Sequence, residues 1–132
     1  MKHWQMIING KEVDTLDKIE VNNPATLEII ATIPNGGAKE AAQAADAAAH
    51  AFKKWAKRTA AERSQLLMQW FHLIDKHKEE IAEIMTTEQG KPFSEALGEV
   101  VYANSFISWY AEEGKRIYGE TIPASAPNKR LF

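Results

Sequence analysis

The feature that most constrains this chain is a stretch of helical periodicity with punctuation at both ends. Thr59-Ala60-Ala61-Glu62 has the spacing of a capping box, in which a threonine oxygen accepts from an orphan amide and a glutamate reaches back. Behind it, Leu66, Leu67, Trp70, Phe71, Ile74, Ile81, Ile84 and Met85 recur on one broad face at helical spacing. Gly90 then supplies a stop, with Pro92 just beyond. The pattern predicts one helix from the threonine to the glycine. An apolar face that broad has to be covered by something.

A second helix is predicted before it, over Ala38 to Trp55, where alanine dominates and favours helix intrinsically. Its basic end (Lys53, Lys54, Lys57 and Arg58) suits the negative pole of the helix dipole and reads as a solvated face. A third is predicted from Pro92 to a cap at Gly119. It carries an aliphatic stripe (Ala96, Leu97, Val100, Ile107, Ala111) and a mixed one (Glu99, Tyr102, Phe106, Trp109, Glu113). Two stripes imply apolar contact on more than one side.

The first third reads as short strands. Trp4 to Ile8 and Lys11 to Val13 flank Asn9-Gly10, a strong hairpin signal because both residues tolerate positive φ. Val21-Asn22-Asn23-Pro24 interrupts the strand pattern, since proline has no ladder donor. Leu27 to Ile33 is a further strand, closed by Pro34-Asn35-Gly36-Gly37. At the other end, Lys129-Arg130-Leu131-Phe132 resembles the opening of a strand.

Composition excludes several functions. With 132 residues, 45% of them hydrophobic, the chain suffices for one globular domain. Closed on itself it would bury roughly two-thirds of its unfolded surface. A net charge of -2 gives no electrostatic reason to bind nucleic acid or an anionic membrane. No apolar run approaches a membrane span, and Met1-Lys2-His3-Trp4-Gln5 lacks the apolar core of a secretion signal. A soluble cytoplasmic protein is the expectation.

The chemistry-bearing residues are sparse. Cysteine is absent, which removes disulfides, thiolate metal sites and a thiol nucleophile from these residues. No serine lies in a Gly-x-Ser-x-Gly context. His3, His50, His72 and His77 show no paired ligand spacing. Gly36-Gly37 precedes a helix but opens no phosphate-loop motif. Glu79-Glu80 and Glu112-Glu113 are adjacent helical pairs, which do not converge on one substrate. Glu99 stands apart, because an acid among aromatics can be tuned for a role in a pocket. Read from the residues alone, the chain is a scaffold without a reaction centre.

Several ordered motifs resemble those of aldehyde dehydrogenases. They are Asn23-Pro24-Ala25-Thr26 with Ile29 to Pro34, Phe52-Lys53-Lys54-Trp55 with Thr59 to Arg63, and Glu88-Gln89-Gly90-Lys91-Pro92 with Glu95-Ala96 and Gly98-Glu99-Val100. Trp109 to Pro123 and Asn128-Lys129-Arg130-Leu131 resemble the succinate-semialdehyde dehydrogenase branch. The resemblance implies an α/β parent fold with a Rossmann-like cofactor domain, a catalytic domain and a β-arm for oligomerisation. This chain corresponds to an N-terminal segment, mainly α with an N-terminal β-hairpin and short strands. On that reading residues 1–37 form the hairpin and strands. Residues 38–119 form three helices that pack on the absent cofactor domain, and residues 120–132 begin the arm.

The resemblance also implies a reaction. In the family a cysteine thiolate attacks the aldehyde, hydride passes to nicotinamide, and a glutamate activates the water that hydrolyses the thioester. Oxyanion donors stabilise the tetrahedral states. Those groups lie outside this chain, so it has no catalytic residue, binds neither NAD nor NADP alone, and is expected to be inactive by itself. Glu99, Tyr102 and Phe106 match a helix bordering the family's substrate tunnel. Asn22 and Glu88 match positions whose backbone carbonyls hold a structural monovalent cation in some relatives. The implied partners are a small-molecule aldehyde and further copies of the chain, as a dimer or tetramer, with no nucleic acid and no membrane. The alternative is a stand-alone helical interaction module presenting its aromatic stripe to a partner protein.

Overall fold

Asn9 and Gly10 both take positive φ, 54° and 72°, and the chain reverses there as the sequence requires. The computed structural model describes residues 2–120 and 122–130. The turn joins β2 (Met6–Ile8) to β3 (Lys11–Val13) in an antiparallel hairpin with Ile8 opposite Lys11. The strand expected from Trp4 to Ile8 is shorter, and a separate β1 (Lys2–His3) precedes it.

β1 belongs to a second sheet of order β1-β5-β4. β5 (Ile29–Pro34) is central, parallel to β1 and antiparallel to β4 (Lys18–Asn22). Sequence reading missed β4, whose half-exposed Lys-Ile-Glu-Val-Asn run gives a weak alternating signal. It also placed Leu27 in a strand. Leu27 instead has φ 62° and donates its N–H to the Asn23 carbonyl at 2.7 Å. Asn23 Oδ1 accepts from Ala25 N–H at 2.9 Å, so an asparagine-led turn wins over the β-propensity of the leucine.

Four helices follow: α1 (Ala38–Trp55), α2 (Ala60–Lys76), α3 (Lys78–Gln89) and α4 (Phe93–Glu113). The capping box forms as expected, with Glu62 N–H donating to Thr59 Oγ1 at 3.2 Å and Thr59 N–H donating to Glu62 Oε2 at 2.8 Å. Gly90 ends α3 with φ 80°. A β-carbon there would lie 2.8 Å from Pro24 Cγ, so glycine is needed both for the left-handed turn and for the approach of the Pro24 loop.

The single helix expected between those signals is two. His77 leaves the helical region (φ -108°, ψ 13°), and its N–H is shared between the carbonyls of Leu73 and Ile74. Its Nδ1 lies 3.0 Å from Glu80 Oε2 in the first turn of α3. No glycine or proline announces the break. α3, which starts beyond it, packs Ala82 against Ala96 and Val100 of α4. The expected cap at Gly119 is also corrected: α4 stops at Glu113, capped by Gly114, and residues 115–120 form no helix.

The core is small. Ala82, Ala96 and Val100 form its centre, flanked by partly buried Ile74, Ile81, Met85 and Leu97. α4 lies against both α2 and α3, whereas α1 buries no residue at all. The chain exposes 10478 Å². A compact monomer of 14.8 kDa exposes roughly 7000 Å². Many large apolar side chains are exposed, among them Trp70, Leu73, Tyr102, Trp109 and Tyr110.

Candidate functional site

α4 positions the mixed stripe. Its aliphatic side is turned into the core through Ala96, Val100 and Ala111, so the residues on the far side face outward. Tyr102 and Phe106, one turn apart, meet edge-to-face with ring centroids 5.0 Å apart and an interplanar angle of 83°. They are 66% and 46% exposed. Glu99 does not lie enclosed among these rings. It faces solvent and forms an ion pair with Lys91 of the α3–α4 connection, a partner the sequence did not suggest.

Beyond Phe106 the stripe opens into a concavity of about 660 Å³, lined by Phe106, Trp109, Tyr110, Glu112 and Arg116 together with Ser105 and Ser108. Phe106 lines it; Glu99 and Tyr102 do not. The serine hydroxyls are directed back to the helix: Ser105 donates to the Tyr102 carbonyl at 2.6 Å and Ser108 to the Ser105 carbonyl at 2.9 Å. Neither is paired with a base. Arg116 donates to Glu113 at 2.9 Å. The arrangement is an open, largely apolar wall bounded by Glu112 and by Arg116, whose charge is paired with Glu113.

The two residues expected to contribute carbonyls to a cation site lie on converging segments. Asn22 ends β4, where the register shifts between Val21 and Asn22. Glu88 is in the last turn of α3. The contact between Pro24 and Gly90 draws the two segments together. Glu88 also lines a second concavity of about 340 Å³ between the three-stranded sheet and α3, with Trp4, Ile30, Ile84 and Thr87. No group of three or more metal-ligating side chains occurs among the described residues.

Gly36-Gly37 opens no free anion site at the start of α1. The pair does lead into the helix, but Glu40 Oε2 accepts the Gly37 N–H at 3.0 Å. A carboxylate thus occupies the positive end of the helix. The Gly37 N–H bond holds the Glu40 carboxyl below its ordinary range, and the Thr59 N–H does the same for Glu62. Elsewhere, Asp14 is lowered chiefly by its bond to Lys18 and also bonds His3, tying β1 to the end of the hairpin.

The tail completes the picture. Lys129 and Arg130 form no strand, and Lys129 N–H donates to the Ala126 carbonyl at 3.1 Å. Leu131 and Phe132, the rest of the expected opening strand, lie outside the described residues, as does Thr121. No helix among the described residues is long and apolar enough to cross a membrane.

This arrangement of short strands and four helices is that of a known class. The aldehyde dehydrogenase family profile matches residues 11–132, and the chain belongs to that family. Within it, the chain is 50% identical over 130 residues to the glutarate-semialdehyde dehydrogenase of Pseudomonas putida, covering 97% of this chain and 27% of that protein. It is 48% identical to the NADP(+) succinate-semialdehyde dehydrogenase GabD of Escherichia coli, with the same coverage of both. The crystal structure of succinate-semialdehyde dehydrogenase from Burkholderia pseudomallei superimposes with a TM-score of 0.91 at 46% identity, over 96% of this chain and 27% of that one. The chain therefore spans about a quarter of the length of the curated relatives it matches.

Proposed function

We propose that this chain is the N-terminal part of an NAD(P)-dependent aldehyde dehydrogenase that oxidises a short ω-carboxylated aldehyde, succinate semialdehyde first, to its carboxylate. On this reading the segment is inactive alone. It has no cysteine to attack the aldehyde, and Glu40 already occupies the N-terminus of α1. Its task is to wall the substrate passage with Tyr102 and Phe106 and to support the domain that holds the coenzyme. The single observation that carries the reading is the chain's large exposed apolar surface, combined with near-complete alignment to a quarter of semialdehyde dehydrogenases. So many exposed large apolar side chains fit a surface that other parts of the enzyme cover.

Two finer proposals accompany it. The backbone carbonyls of Asn22 and Glu88 hold a monovalent cation between β4 and α3, which the convergence of their segments at Pro24 and Gly90 supports. Residues 120–132 pair with a second copy of the enzyme in a dimer or tetramer.

The test compares the 132-residue chain with the product of a reading frame that also encodes a downstream cysteine. Reduced coenzyme formation is followed with succinate and glutarate semialdehydes, each with NAD and with NADP. The longer product should turn over and the shorter one should not. Unaided oxidation by the 132-residue chain would overturn the assignment of the nucleophile to another part of the protein.

A further inference from the structure

α4 must be held at one rotation about its axis if Tyr102 and Phe106 are to point where they do. The side chains that bury it supply little of that constraint. Ala96, Val100 and Ala111 are its buried aliphatic residues; Ala96 and Val100 cluster with Ala82 of α3, and Ile74, Ile81, Met85 and Leu97 pack around them only partly buried. Such contacts are non-directional and hold the helix by area rather than by angle. Asn104 is different. It is only 4% exposed, and its Nδ2 donates to the Phe71 carbonyl of α2 at 3.0 Å. Among the described residues it is the one buried side chain of α4 with a directional bond to a neighbouring helix.

The bond is retained against a cost. Asn104 Oδ1 is buried and has no hydrogen-bond partner among the described residues. An apolar side chain of similar volume would avoid that penalty. A buried polar group that does not maximise stability can serve instead to select one register among several. Asn104 also has the right place for this. It lies two residues from both Tyr102 and Phe106, which at about 100° per residue puts it on the opposite side of the helix from them. A tether there sets the direction of the aromatic pair.

We infer that Asn104 is a positioning residue that fixes the rotation of α4 on α2 and so sets the aim of Tyr102 and Phe106 at the substrate passage. The functional half of this rests on the reading proposed above. Nothing in it requires Asn104 to touch substrate.

The test uses the full-length enzyme that carries this segment, with Asn104→Leu and Asn104→Ser. The leucine keeps the volume and removes the directional bond; the serine keeps a donor in a smaller group. In Asn104→Leu, the KM for the aldehyde and the selectivity between four- and five-carbon semialdehydes should shift by about tenfold, the size of a one-methylene misfit. The kcat and the coenzyme KM should stay unchanged, and the melting temperature should hold or rise. Asn104→Ser should recover part of the selectivity. Crystal structures of both variants should show α4 rotated in the leucine variant and less so in the serine one. A leucine variant with unrotated α4 and wild-type selectivity overturns the inference. If the full-length parent oxidises no aldehyde, the functional reading fails, while α4 rotation still decides whether Asn104 is the tether.

Discussion

α1 and α4 are similar in length, 18 and 21 residues, and both carry apolar residues at helical spacing. Yet α4 buries Ala96, Val100, Asn104 and Ala111, while α1 buries nothing. α1 is held mainly at its N-terminal end, where a β-carbon on Gly36 would meet Met6 Sδ of β2 at 2.8 Å. The difference teaches that an amphipathic pattern specifies a face and not its cover. α4 finds α2 and α3 within the chain. α1 carries Phe52 and Trp55 on a surface that the chain itself does not bury.

The sharpest way to break that comparison is to place the same charge in both helical regions. Ala82 is fully buried between α3 and α4. Ala82→Asp should cost about 3 to 5 kcal/mol, as for an unpaired buried charge, and should dissolve the α2–α4 unit. Ala48→Asp on exposed α1 should cost no more than about 0.7 kcal/mol, the helix propensity alone. Denaturant unfolding followed by circular dichroism measures both, and equal losses would mean that α1 is packed as tightly as α3.

Next in size is Gly90→Ala. The alanine would have to adopt φ 80° and displace Pro24, with a loss of about 2 kcal/mol. It should also raise hydrogen exchange at both the 23–28 turn and the end of α3. Exchange confined to α3 would show that the Pro24 contact does not couple sheet and helices.

Thr59→Ala should cost about 1 kcal/mol and fray the first turn of α2 without touching α1. The same capping bonds give a pH dependence. The folded-state pKa values of Glu40 and Glu62 lie below their ordinary 4.5. The unfolded chain therefore takes up these protons first. The stabilisation is complete above pH 4.5 and fades as pH falls through the lower folded-state values. Helix content should decline on acidification below that point, and Glu62→Gln should flatten the part of the decline that belongs to α2.

The smallest effect has the opposite sign. Leu27 is exposed and sits at φ 62°, a strained conformation for a leucine. Leu27→Gly should stabilise the chain by up to about 1 kcal/mol, read as a raised unfolding midpoint. A loss would mean that the Leu27 side chain makes contacts that outweigh the strain.

The sequence by itself determined whatever depends on nearest neighbours along the chain. The Asn9-Gly10 reversal, the Thr59–Glu62 box and the Gly90 stop each need only a few residues and a fixed spacing. The stripe bearing Glu99, Tyr102 and Phe106 was legible for the same reason, because helical geometry alone lines up residues three and four apart. Only the tertiary structure decided the rest. The break at His77 has no glycine or proline to mark it and makes sense only because Ala82 must reach α4. The weak alternation of β4 became a strand only because β5 offered it an edge. The pairing of Lys91 with Glu99, and the burial of Asn104 against the Phe71 carbonyl 33 positions away, join residues whose proximity no local spacing encodes. Short-range bonds are dictated by chain geometry; long-range ones exist only once packing has chosen which surfaces meet.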